Sequence, residues 1–301
     1  MDTKILDVAH DDLRAGQVRQ PLARVHAWLR DQRRFLTPAQ WHEVRSYTSG
    51  HPVAELLRTD PLIGRGYLKP RGYAGDAVIM DMIYGLDPDA PAGQGFAAEL
   101  FGYATGIASF RAVRYRRMMF RSLVDQVSER TPGIDVASVG AGHLREAEDS
   151  IGLREGRVNR CLAFDQDRES LAVIERDYAK YGVVPEHKHI REIITDGRLP
   201  GKVHLVHAGG LYDYLTDRTA IPLTRSLIAS LEPGGTLLVA NIVPTSPDIA
   251  FLEAVMDWPL VHRDEQDMRR LLDEVPAGRL DTVTLHRDPD DVMSFLTVTV
   301  S

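Results

Sequence analysis

The chain has one cysteine, Cys161, in 301 residues. A single thiol excludes an intrachain disulfide and any cysteine-rich zinc centre, and it suits a reducing compartment. Cationic residues are also in the minority, 36 Lys and Arg against 43 Asp and Glu, for a formal charge of −7. Affinity for nucleic acid rests on clustered cations that release counterions, so this balance argues against such a partner and favours a small molecule. No apolar run approaches the roughly 20 residues of a membrane-spanning helix. Met1 to Arg14 carries acids where a secretion signal would be basic and then apolar, so a cytoplasmic protein is expected. His187 and His189 alternate on an expected strand without carboxylates at ligand spacing, and no metal is expected. No G-x-S-x-G or Cys-His pattern points to covalent catalysis. The partners expected are a small-molecule substrate and, at most, a second copy of the chain, with neither nucleic acid nor membrane.

The apolar pattern divides the chain into two expected regions. Residues 1–130 read as a helical N-terminal region. Leu22, Val25 and Leu29 recur at helical spacing, Thr37-Pro38 offers a cap followed by proline at the first helical position, and "HPVAELLRTDPL" extends the pattern to about Leu62. "GLDPDAPAGQG" is a loop, and a long helix is expected from about Glu99 to Ser128. Residues 131–301 alternate short apolar runs with helical segments, the pattern of a parallel sheet. Strands are expected at "IDVASVG", "RCLAFD", "HLVHAGG" and "GTLLVANIV", and an antiparallel hairpin at "RLDTVTLHRD" and "VMSFLTVTVS".

Within that second region "VASVGAGHLRE" places Gly140 and Gly142 between a buried strand and a helix, where backbone can approach a ligand closely. The pattern alone is equally a tight turn. The next strand ends in Asp165, where a carboxylate can accept the two hydroxyls of a ribose, and together the two features favour an adenosine ligand. An NAD site is the minor reading, because Arg145 stands where G-x-G-x-x-G needs its third glycine.

The residues "VGAGH", "FDQD", "TDGRLP" and "LEPGGTLLVAN" resemble class I S-adenosylmethionine-dependent methyltransferases over about Asp135 to Asn241. His143 departs from the family's usual G-x-G-x-G loop. The resemblance implies an α/β, Rossmann-like seven-stranded sheet with an antiparallel C-terminal hairpin, preceded by a helical lid. It implies S-adenosylmethionine as co-substrate, with Gly140 and Gly142 along its methionine portion, Asp165 on its ribose, Asp196 and Gly197 near its adenine, and Gln166 and Gly209 bordering the pocket. "KPRGYAGDA", "SFRAVRYRR", "AGGLYDYL" and "MDWPLVHR" look like a bacterial subfamily that includes methyltransferases acting on fatty-acid-derived signals and isoprenoid diphosphates, and enzymes that cyclise S-adenosylmethionine to azetidine-2-carboxylate.

Under that resemblance Tyr73 would face the sulfonium, Asp76 would pair with the cofactor's ammonium, and Arg71 would meet a carboxylate of cofactor or substrate. Asp76 could equally cap the helix that follows it. Tyr212 follows the strand facing the reacting methyl group and is either a pocket residue or a packed aromatic. Tyr73, Asp76 and Tyr212 are the expected catalytic groups, and Arg114 and Trp258 the expected substrate contacts. The function implied is methyl transfer to a small bacterial metabolite of secondary metabolism. The rivals are internal cyclisation of S-adenosylmethionine with release of methylthioadenosine, and a non-catalytic sensor.

Overall fold

The structure, a computed structural model, describes residues 3–301; Met1 and Asp2, the first residues of the expected helical region, lie outside the described residues. In chain order the elements begin with α1 (Lys4–Arg14), α2 (Arg19–Phe35), α3 (Pro38–Ser49), α4 (Pro52–Leu57), α5 (Pro61–Leu68), α6 (Ala77–Tyr84), α7 (Phe96–Thr105) and α8 (Ala108–Arg130). An alternating region follows, with β1 (Ile134–Val139), α9 (Ile151–Arg154), β2 (Val158–Asp165), α10 (Arg168–Tyr178), β3 (Val183–His187), α11 (Ile190–Asp196), β4 (Val203–Ala208), α12 (Asp217–Ala229) and β5 (Leu231–Ile242). The last elements are α13 (Ile249–Val255), α14 (Glu265–Arg270), β6 (Leu280–Arg287) and β7 (Met293–Val300).

Two compact units divide these elements: residues up to Arg111 together with Thr245–Pro259, and Ala112–Pro244 together with Leu260–Ser301. In the helical unit, Leu22, Val25 and Leu29 of α2 and Val44 of α3 are buried, as their spacing requires. Thr37 opens α3 with a full capping box, its side chain accepting from Gln40 N while the Gln40 side chain accepts from Thr37 N. The pattern expected to run to Leu62 breaks where Asp60 and Pro61 start α5 afresh. The long helix expected from Glu99 is two helices, interrupted at Gly106.

Residues 245–259 belong to this unit although they follow β5 in sequence. Trp41 Nε1 donates to Glu253 Oε2 (2.6 Å), Arg58 Nε donates to Val255 O (3.1 Å), and α13 packs against α2 and α3. The division expected at residue 130 therefore differs from the compact units in two places. Most of α8 packs with the sheet, and α13 packs with the helices.

The second unit is a seven-stranded sheet of order β3-β2-β1-β4-β5-β7-β6. The pairs from β3 to β5 are parallel, and β7 runs antiparallel to both β5 and β6. This is the expected Rossmann-like arrangement with its C-terminal hairpin. Alternation along β1 feeds two cores: Val136 joins Val124 of α8 and Ile174 of α10, while Ala137 and Val139 join Leu223 and Leu227 of α12. Because β1 lies between β2 and β4, successive connections leave it on opposite sides of the sheet. That reversal opens a crevice at the carboxyl ends of the strands.

Candidate functional site

The loop leaving β1 at that crevice is built from its sequence. Gly140 and Gly142 adopt φ of 68° and 55°, left-handed values that cost side-chain-bearing residues more. Gly140 N and Ala141 N both donate to Phe164 O at 2.9 and 3.1 Å, tying the loop to β2. Gly142 N donates to Asp165 Oδ2 and Asp167 N to Asp165 Oδ1, each at 2.8 Å. Lys188 N donates to Asp165 O (3.1 Å), so the end of β3 joins the same cluster. Burial raises the Asp165 carboxyl, and the backbone N–H groups of Asp167, Gly142 and Gln166 oppose it. With the N–H of Gln166 also directed at it, the carboxylate keeps part of its roughly four-bond acceptor capacity, which a ribose hydroxyl can use.

At the neighbouring strand end, Gly209 and Gly210 leave β4 against α8. A Cβ at Gly209 would meet the Phe120 ring at 2.7 Å and Arg116 Nε at 3.4 Å, so only glycine fits. Arg116 is buried, and its field helps lower the Asp213 carboxyl. His207 of β4 stacks on Phe120 with centroids 4.9 Å apart, lies 3.6 Å from Glu146 Oε1, and is held below its ordinary pKa by burial.

Beneath these groups lies a closed polar network. Asp213 Oδ1 accepts from Asn241 Nδ2 (2.9 Å) and Ile242 N (2.8 Å). Burial pushes its carboxyl up to about 6. Arg263, 1% exposed, donates to the carbonyls of Tyr212 and Leu215, to Asn241 Oδ1 and to Asp217 Oδ1. These bonds pin the segments after β4 and β5 together, which is a positioning role.

Asp76, Tyr212 and Trp258 change their expected assignments. Asp76 is fully buried and its carboxylate is already engaged: Oδ1 accepts from Val78 N and Ile79 N, and Arg65 donates to both oxygens at 2.7–2.9 Å. It caps α6 and has no capacity for an ammonium. Tyr212 is fully buried in the core beside α12, its hydroxyl 2.8 Å from Thr224 Oγ1, and burial moves its pKa far upward. It is the packed aromatic. Asp196 ends α11, pairs with Lys188 (2.7 Å), and is followed by Gly197 as the helix C-cap at φ 69°. The residues that follow β3 at the crevice are Lys188 and His189, and Asp196 reaches that end through its bond from Lys188.

Gln166 is exposed directly past β2, beside Asp165. Gly209 stands at the end of β4. Arg114 is partly exposed on α8. In the helical unit, Arg71 and Tyr73 are partly exposed in the glycine-bounded turn between α5 and α6. Trp258 is buried there, its ring 5.9 Å from Phe110 and its backbone N–H donating to Leu252 O (3.0 Å), which is a packing role rather than a substrate contact. Arg116 and Lys188 were not singled out from sequence. Arg116 is one of several arginines in its helix, and only its place against Gly209 distinguishes it. Cys161 is buried in β2 with its thiol pushed up to about 12 by burial, which rules it out as a nucleophile.

No protein-family model and no curated protein matches the chain. Among solved structures it is similar to a protein of Bordetella parapertussis described as a possible exported protein, with 16% identity, 98% of this chain and 94% of that chain covered, and a TM-score of 0.62. That likeness shows a shared fold. A weaker one is to magnesium protoporphyrin IX methyltransferase from Synechocystis PCC 6803 with bound S-adenosylhomocysteine, with 14% identity, 81% and 100% coverage and a TM-score of 0.49. Nothing in the functional reading rests on the second likeness.

Proposed function

We propose that the sheet unit binds S-adenosylmethionine at the crevice between β1 and β4 and that the protein transfers its methyl group to a small metabolite. The observation that carries this is Asp165, buried at the end of β2 and joined through Gly142 N–H to the glycine loop. A desolvated carboxylate with acceptor capacity to spare, beside a loop whose two glycines let a ligand approach the backbone, fits a ribose and the chain attached to it. When bound, S-adenosylmethionine supplies an activated methyl group on a sulfonium. Gly140 and Gly142 would pass its methionine portion, Asp165 would hold the ribose, and Lys188 with Gln166 would border the adenine. The rigid network of Asp213, Asn241 and Arg263 keeps the strand ends in place, so the residues contribute alignment and exclusion of water.

Arg71, Tyr73 and Arg114 remain part of the proposal as contacts to cofactor or acceptor. Internal cyclisation is the second choice, because two of the three groups it would use, Asp76 and Tyr212, are engaged elsewhere. Residence in the cytoplasm belongs to the same proposal; among the described residues no helix is long and apolar enough to cross a membrane. Calorimetric titration tests the site. Asp165→Ala should cost about 1.5–3 kcal/mol of S-adenosylmethionine affinity in a folded protein, the scale of a charge-assisted hydrogen bond. Unchanged affinity removes Asp165 from the site.

A further inference from the structure

The surface of the helical unit carries an open cavity of about 390 Å³ whose lining comes entirely from that unit. One wall is a stripe of α2: Arg19, Ala23, His26, Ala27 and Arg30 fall on a single helical face. Another part of the lining is α7 with Gly102 and Tyr103, where the glycine leaves the space open. Arg19 and Arg30 are eleven positions apart, about 16 Å along the axis, so each end of the α2 wall carries a guanidinium. Arg111 adds a third and donates to Gly106 O at 2.6 Å.

The lining itself holds one carboxylate, Asp248, and it is engaged locally, while outside the lining Asp31 lies 3.7 Å from Arg30 Nε. Asp248 Oδ1 lies 3.1 Å from His26 Nε2, and its Oδ2 accepts from Ser109 N at 2.6 Å. Burial alone would raise this carboxyl, but the close His26 ring and the bond from Ser109 outweigh it and hold it below the usual range. The His26 ring is fixed from every side, stacked on Phe251 at 4.5 Å and with Nδ1 3.2 Å from Tyr103 Oη. Burial and the Asp248 charge push the Tyr103 hydroxyl up to about 12, so it stays protonated. The chain Asp248–His26–Tyr103 thus offers the cavity a preorganised polar floor between apolar walls and cationic ends.

We propose that this cavity binds a small organic anion, a carboxylate or phosphate on a short apolar body. A guanidinium at either end pairs with the oxyanion through directed bonds, and Ala23, Ala27 and Gly102 leave room for the body. The inference stands apart from the S-adenosylmethionine reading, since no lining residue belongs to the sheet unit.

Titration calorimetry of the full chain at low salt, with hexanoate, hexyl phosphate and uncharged hexanol as probes, tests it. One or both anions should bind at one site with a dissociation constant of about 1 mM or tighter, and hexanol at least roughly tenfold more weakly. The stronger of the two anions identifies the head group. The double variant Arg19→Ala/Arg30→Ala should weaken anion binding by roughly tenfold or more. Gly102→Phe should abolish it by filling the space, because a Cβ there meets nothing within 4 Å. Should Gly102→Phe fail to fold, the arginine variant decides alone, since both of its positions are exposed. No heat with either anion, binding of hexanol equal to the anions, or anion binding unchanged in the arginine variant overturns the proposal.

Discussion

Asp60 caps α5, with Oδ1 accepting from Leu62 N and Ile63 N at 3.0 Å while Oδ2 is buried without a partner. Burial pushes its carboxyl from 3.8 up to about 6, the two N–H bonds opposing the rise. The folded pKa lies above the unfolded one, so between those values the folded chain binds more protons, and stability rises as pH falls through the window. Asp60→Asn keeps the capping oxygen and removes the titration. Urea midpoints should therefore show a smaller gain from about pH 7 to about pH 4.5 in Asp60→Asn than in the wild type, by up to about 2 kcal/mol. An identical pH dependence contradicts the assignment. Asp76 makes a different prediction. Its removal strips a cap and strands Arg65, so Asp76→Ala should cost about 3 kcal/mol of stability. Normal stability with lost turnover would instead return Asp76 to the chemistry. From sequence, Asp60, Asp76 and Asp165 are the same residue type beside apolar runs. Only the N–H groups that reach each carboxylate separate cap from candidate site.

The parallel strands and the hairpin were legible as elements because β1, β2, β4, β5 and β7 are runs buried on both faces, and such runs must be apolar almost throughout. β3 was weaker: it is the sheet's outer strand at that side, and Pro185, Glu186 and His187 are not buried. Reading His187 and His189 as one strand missed that His189 caps α11. The contact of α8 with β4 was also invisible, since spacing says which face of a helix is apolar but not what that face meets. It is testable at Gly209. The methyl group of Gly209→Ala would press on Phe120 at 2.7 Å, so the variant should lose about 1–3 kcal/mol in denaturant melts. A neutral effect would show that α8 is free to shift there.

At the scale of the whole chain, the sequence reading placed a helical region before a sheet region and missed that the first is discontinuous. Nothing in "PTSPDIAFLEAVMDWP" marks it as helical-unit material; it sits between β5 and α14, both of the sheet unit, and Glu253 declares its partner only through Trp41 and Arg33. The central claim concerns what this assembly does with S-adenosylmethionine, and the fate of that molecule decides it. Methyl transfer leaves S-adenosylhomocysteine and needs an acceptor, whereas cyclisation leaves methylthioadenosine and needs none. Purified protein incubated with S-adenosylmethionine alone should give little turnover, and S-adenosylhomocysteine should accumulate once a bacterial extract containing the acceptor is added. Protein-dependent accumulation of methylthioadenosine without an acceptor, above spontaneous breakdown, or no product under either condition, would contradict the account.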